Sequence, residues 1–132
     1  MINDIMAGSR EKHNFIQRKI FYRPDIVGID LNTILSKSME YELHHKGHLI
    51  AKPDLYILTN DTNHIIEVKS GNNPMAYDKG MRQLETALIW FEDLKLPTPK
   101  CQLVMPPKNF KNGWYSMLDC LDIYKLGDMY RK

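Results

Sequence analysis

The sequence predicts a single α/β domain with a mixed sheet between helices. Two observations carry this. Residues 48–70 alternate with the short period of strands, and helical periods stand on either side. Length and composition agree: the chain has 132 residues, 43% of them apolar and 26% charged, which suits one core of ordinary globular make-up.

The first element read along the chain is a short helix from Ser9 to about Ile20, ended by Pro24, because the residue before a proline avoids helix. A second helix is predicted from Leu31 to Leu43. Asp30 caps it, Leu31, Ile34, Leu35, Met39 and Leu43 recur at helical spacing, and Gly47 follows its end. Glu42 falls within that apolar face on a wheel of 3.6 residues per turn, whereas Glu40 points away. Two readings of Glu42 are open: a last-turn carboxylate that swings to solvent, or one held inward by a cation or a donor.

Strands are predicted at 48–52, 54–59 and 64–69, the last two joined as a hairpin by the turn cluster Asn60-Asp61-Thr62-Asn63. Gly71-Asn72-Asn73-Pro74 breaks the chain. A long helix follows from Met75 to Leu94, with Tyr77, Met81, Leu84, Leu88 and Phe91 on one side. A strand at 101–105, a short helix near 114–121 and an edge strand at 123–126 complete the reading.

Several classes are excluded or disfavoured. No apolar run approaches the ~20 residues of a membrane span, and no basic segment followed by an apolar stretch opens the chain. Cys101 and Cys120 make no disulfide framework and cannot supply a four-cysteine metal site, so a reducing intracellular (cytoplasmic) setting is expected. Net charge is only +2. Its distribution is uneven: 95–118 holds four lysines and no acid, and 10–23 holds five basic residues against Glu11. Such stretches suit either phosphate contact or plain solvated faces.

The chemistry gathers on the hairpin. Pro53-Asp54 opens one strand and Glu67-Val68-Lys69 closes the next. Alternation places Glu67 and Lys69 on one face, and the turn sets Asp54 near the level of Glu67. Two carboxylates then share a face with an ammonium, a donor set that suits Mg²⁺ or Mn²⁺. Pro-Asp recurs at Pro24-Asp25 and acid-x-Lys at Asp93-Leu94-Lys95, but only the pairing at 53–69 lies on adjacent strands of one hairpin. His44, His45 and His48 read as a surface patch at a helix end rather than as ligands. Cys101 reads as a small buried hydrophobe.

Residues 53–69 resemble the signature of the PD-(D/E)XK nuclease superfamily, and the element order is similar to its αβββαβ, restriction-endonuclease-like core. Small size and a helix acid resemble Holliday-junction resolvases; Glu67-Val68-Lys69 followed by Gln83 is similar to RecB-like nucleases. The resemblance spans residues 31–126 and leaves 1–30 as an N-terminal helical arm before a nuclease-like domain at 31–132. It implies a Mg²⁺- or Mn²⁺-dependent deoxyribonuclease, endo- or exonucleolytic, with RNA cleavage left open. In it Asp54, Glu67 and the Val68 carbonyl hold the metal, and Glu42 is either a direct ligand or a carboxylate that supports the ligands from behind. Lys69 positions water and steadies charge on the phosphate. Gln83 either supports Lys69 or a phosphate or simply packs. Lys52, Lys108 and Lys111 are the expected substrate contacts. The other class that fits is a catalytically inactive nuclease-fold module that binds nucleic acid or protein.

Cutting both strands of a duplex takes two sites, so a homodimer on DNA is expected. Its contact would be the apolar arm (Phe15, Ile16, Ile20, Phe21, Tyr22) or the edge strand near 123–126, unless the arm folds back on its own sheet.

Overall fold

The computed structural model describes residues 2–126. Three α-helices, α1 (Ile2–Tyr22), α2 (Pro74–Asp93) and α3 (Trp114–Met117), accompany seven strands. These are β1 (Ile34–Met39), β2 (Leu43–His45), β3 (His48–Ala51), β4 (Leu55–Thr59), β5 (Asn63–Val68), β6 (Lys100–Met105) and β7 (Asp122–Lys125). Five strands form a mixed sheet in the order β1-β4-β5-β6-β7, and β2 and β3 form a separate hairpin. Only β5 and β6 run parallel, joined by the crossover through α2.

The central strand explains its own sequence. β5 is covered on both faces, so the consecutive residues Ile65, Ile66, Glu67 and Val68 are all buried, without the alternation of a half-exposed strand. On one face Leu55, Ile57, Ile66, Val68 and Val104 pack against Ile16 and Ile20 of α1. On the other, Ile65, Cys101, Leu103 and Met105 pack against Met81, Leu84, Ala87 and Phe91 of α2. Asn73 caps α2 by accepting from the Ala76 N–H at 2.9 Å, and Pro74 takes its first turn, where a missing N–H costs nothing. Cys101 is buried as the sequence suggests, which pushes its thiol up to about 12. No helix among the described residues is long and apolar enough to cross a membrane.

The predicted helix at 31–43 is not formed. Asp30 does cap, accepting from the Asn32 N–H at 3.0 Å, but only a single 3-10 turn, Leu31–Thr33, follows. The chain then extends into β1 and β2. The helix that covers this side of the sheet is already supplied by α1, while β4 has an open edge that β1 fills. Tertiary pairing outweighs the helical spacing. The supposed apolar stripe does not become a core face either: Leu35 is 66% exposed and Leu31 48%, and Leu43 alone of the set is fully buried, on the α2 side.

The segment 1–30, read as an arm outside the core, instead supplies a layer of it. Ile16 and Ile20 are fully buried, and Phe15 and Phe21 pack beside them. The apolar residues that suggested a dimer contact there are thus used within the chain, apart from exposed Tyr22.

One glycine sets the spacing of the α2 layer. A Cβ at Gly80 would collide with the side chain of Leu103, which is fully buried and has no room to yield. Gly80→Ala gains about 1 kcal/mol of helix propensity but overpacks the core at a cost of roughly 1–3 kcal/mol. A lower melting temperature is expected for Gly80→Ala in thermal denaturation; an unchanged or higher one would show that α2 can lift from β6 freely.

Candidate functional site

Strand register builds the site. Leu55 pairs with Ile66, so the next residues outward, Asp54 and Glu67, stand opposite each other where β4 begins and β5 ends. Residues directly opposite share a face. Lys69 follows two residues later, its N–H donating to the Val104 carbonyl at 2.9 Å, so that β6 holds the end of the strand in place.

Asp54 is fixed from three directions. Its Oδ2 accepts from the Val68 N–H at 2.7 Å and lies 3.2 Å from Nε2 of His13. Its backbone carbonyl accepts from Nε2 of Gln17 at 2.9 Å. His13 and Gln17 belong to α1 and continue the stripe that buries Ile16 and Ile20, so one helix face turns from apolar to polar as it reaches the sheet end. The sequence reading missed both residues. The signal was present as His13, Ile16, Gln17 and Ile20 at i, i+3, i+4 and i+7, a helical stripe with a polar end.

Glu67 is 5% exposed. Burial, the neighbouring charge of Asp54 and a hydrogen bond to Asp54 push its carboxyl up to about 9. Burial also works against Asp54, but the His13 ring, the Val68 N–H and the bond with Glu67 outweigh it and hold Asp54 below the usual carboxylate range. The pair therefore shares a proton at neutral pH, as two carboxylates this close must. The hydrogen bond to Asp54 raises His13 above its ordinary value. Burial lowers Lys69, against the pull of the Glu67 carboxylate.

Lys69 donates through Nζ to Oε1 of Gln83 on α2 at 2.5 Å, so Gln83 meets the lysine as one of its expected roles required. Gln83 also lines a cleft of about 270 Å³ with Glu67, Lys52, Lys79 and Arg82, and Ile50 and Ala51 of β3 close its other side. Lys79 and Arg82, missed in the sequence, lie one and two turns into α2 on the side away from the core. Lys52 is exposed, 3.8 Å from Glu40.

Glu42 is not part of this group. The carboxylate placed on a helix face lies in an extended stretch before β2, exposed, with Oε1 2.8 Å from Nε2 of His44. The helix that would have aimed it inward does not exist. Lys108 and Lys111 are exposed on the loop after β6 and do not line the cleft. His44, His45 and His48 stand exposed on the β2–β3 hairpin rather than at a helix end.

No group of three or more His, Cys, Asp and Glu able to hold a metal occurs among the described residues. The oxygen donors that do converge are two carboxylates, with the Val68 backbone between Glu67 and Lys69. Comparison with protein-family models, curated proteins and solved structures gives no match.

The shared proton makes the stability of the metal-free protein pH-dependent through Glu67. The unfolded carboxyl ionises near its ordinary value of 4.5, and the folded one near 9. Glu67 thus contributes stability that is fully present below pH 4.5 and is lost as pH rises to about 9. Glu67→Gln keeps a neutral group at every pH. In EDTA its melting temperature should equal or exceed that of the wild type, with the gap widening from acid to alkaline pH. A lower melting temperature at alkaline pH would identify Glu67 as a structural ion-pair partner.

Proposed function

We propose that the chain is a metal-dependent nuclease that hydrolyses DNA phosphodiester bonds at the Asp54–Glu67–Lys69 site. The observation that carries this reading is the buried carboxylate pair. Two acids forced onto one proton, one of them lining a cleft that also carries Lys52, Lys79 and Arg82, are stabilised when a divalent cation replaces that proton. The donors fit Mg²⁺ or Mn²⁺: both are hard, oxygen-seeking ions, and Mg²⁺ is usually held by one or two carboxylates, with waters and substrate phosphates completing the shell. Asp54, Glu67 and the Val68 carbonyl would hold it.

When bound, such an ion supplies a water that is acidic near neutral pH and positive charge for the developing oxyanion. The remaining work belongs to the side chains. Lys69 directs its ammonium to the phosphate, and Gln83 holds that ammonium in place. Asp54 keeps one orientation through the Val68 N–H and His13, which acts as a positioning residue. Lys52, Lys79 and Arg82 neutralise phosphates beside the scissile one, where fixed charge is worth more than in bulk water. The αβββαβ-like order supports the same reading: α1, β1, β4, β5, α2 and β6 occur in that order, with the β2–β3 hairpin inserted between β1 and β4 and with the acids and lysine at the end of the central hairpin.

The test is a cleavage panel of linear, nicked, flapped, single-stranded and four-way DNA with and without Mg²⁺ or Mn²⁺. Cleavage is expected only with metal and should cease with EDTA. Asp54→Asn, Glu67→Gln and Lys69→Ala should each lose roughly 10²-fold or more, since each removes part of one unit. Undiminished cleavage by Glu67→Gln would falsify the assignment. Binding of DNA without cleavage of any substrate would instead make the chain an inactive nuclease-fold module.

A further inference from the structure

The cleft beside Glu67 is one half of a longer groove. A second depression of about 180 Å³ lies along α2, lined by Ile50, Thr86, Ile89, Trp90 and Leu94, with His45 and Asp93 at its margin. Ile50 and Thr86 line both, so the two are continuous. Their floor is one face of α2. Lys79, Arg82, Gln83, Thr86, Ile89 and Trp90 follow at spacings of three and four residues, a stripe beside the one that enters the core. From Lys79 to Leu94 it runs about 22 Å.

The groove changes character along that length. Its end near Glu67 carries Lys52, Lys79 and Arg82, and neither Lys79 nor Arg82 forms an ion pair among the described residues. Its far end is mainly apolar, with Ile89 and Leu94 partly exposed. Cations beside an apolar trough complement a chain that carries phosphates on one side and flat, poorly hydrated rings on the other.

The roof decides how wide that chain can be. The β2–β3 hairpin is inserted between β1 and β4, just before Asp54, and β3 packs directly against α2. Leu43 is buried in the α2-side core, and Nε1 of Trp90 donates to the His44 carbonyl at 2.9 Å. Tyr41, next to the hairpin, stacks on Tyr56 of β4 at 5.1 Å. These ties fix the hairpin over the helix. The two elements touch, so the groove between them is a narrow trough of these small volumes, which a duplex, whose major groove alone is about 12 Å wide, does not enter.

We propose that this groove binds a single strand of DNA, its phosphates at Lys52, Lys79 and Arg82 and its bases along Ile89, Trp90 and Leu94, and that the hairpin excludes duplex. The inference rests on the nuclease reading for its polarity, because that reading makes the cationic end the one that faces the scissile phosphate.

Binding is measured in EDTA, so that no cleavage is needed, by the fluorescence anisotropy of a labelled oligothymidine strand and of a duplex of equal length. The strand should bind roughly tenfold or more tightly than the duplex. Lys79→Ala with Arg82→Ala should weaken strand binding and reduce its salt slope by about 1.4, two phosphates' worth. Ile89→Asn, at an exposed position, should lower affinity roughly fivefold and leave the salt slope unchanged. Lys100→Glu, at the far end of the sheet, should change neither. Equal affinity for duplex, or a salt slope indifferent to Lys79 and Arg82, overturns the proposal. Adding Mg²⁺ then separates the two readings. Strand preference without cleavage sinks the nuclease and leaves the groove; cleavage of strand and duplex alike sinks the groove and leaves the nuclease.

Discussion

The antiparallel register of β4 on β5 is the constraint from which the rest of the site follows. Pairing Leu55 with Ile66 sends both into the α1-side core and sets Asp54 across from Glu67. A slip by one residue would reverse every side chain of the strand, turning Leu55 and Ile57 out of the α1-side core and Tyr56 into it. Core packing and site geometry are therefore specified by the same choice. The turn at 60–63 supports it locally: Thr59 Oγ1 donates to the Thr62 carbonyl at 2.8 Å, and Thr59 N–H donates to the same oxygen at 2.8 Å.

That register puts two acids where water is scarce, and the fold answers from both layers. α1 brings His13 and Gln17 to Asp54, one to the carboxylate and one to the carbonyl. α2 brings Gln83 to Lys69. Among the described residues no comparable donor from either helix reaches Glu67, which keeps a proton instead. An acid left neutral at the sheet end is a local instability that a folded domain retains where the site requires it. The inequality between the two carboxyls is thus structural in origin: one is well supplied with donors, and the other is not.

How much of this was legible in the sequence depended on whether the signal was local. The hairpin of β4 and β5, the long helix α2 with its Asn73-Pro74 start, and β6 and β7 were all visible, because strand alternation, turn chemistry and helix caps act over a few residues. Asp54, Glu67 and Lys69 were found for the same reason. The stretch 31–43 was misread because its apolar spacing suits a helix, while its conformation is decided by the vacant edge of β4, whose residues pair with β1 across sixteen or more positions of the chain. Glu42 fell with it. Lys79 and Arg82 were overlooked because nothing adjacent in sequence marks them, and His13 and Gln17 because the polar end of a helical stripe acquires meaning only when α1 is laid on the sheet.

The β2–β3 hairpin that follows the misread stretch changes what the site can accept. A helix ending at residue 43 would have left the α2 side of Glu67 open to a broad surface. As β2 and β3, residues 43–51 reach across to Trp90 and close that side, and Ile50 comes to line both halves of the groove. The apolar residues read as a helix stripe are thereby divided. Leu43 anchors the hairpin in the core, whereas Leu35 on β1 stays at the sheet edge. Catalytic chemistry of the kind proposed needs only the carboxylates and the lysine, which the central hairpin supplies. Access to them is set by a separate element inserted immediately before Asp54, so reach and chemistry are controlled by different segments of the chain. Under the proposed reading, a change in β2 or β3 therefore alters which nucleic acid enters while the register that sets Asp54 across from Glu67 stays as it is.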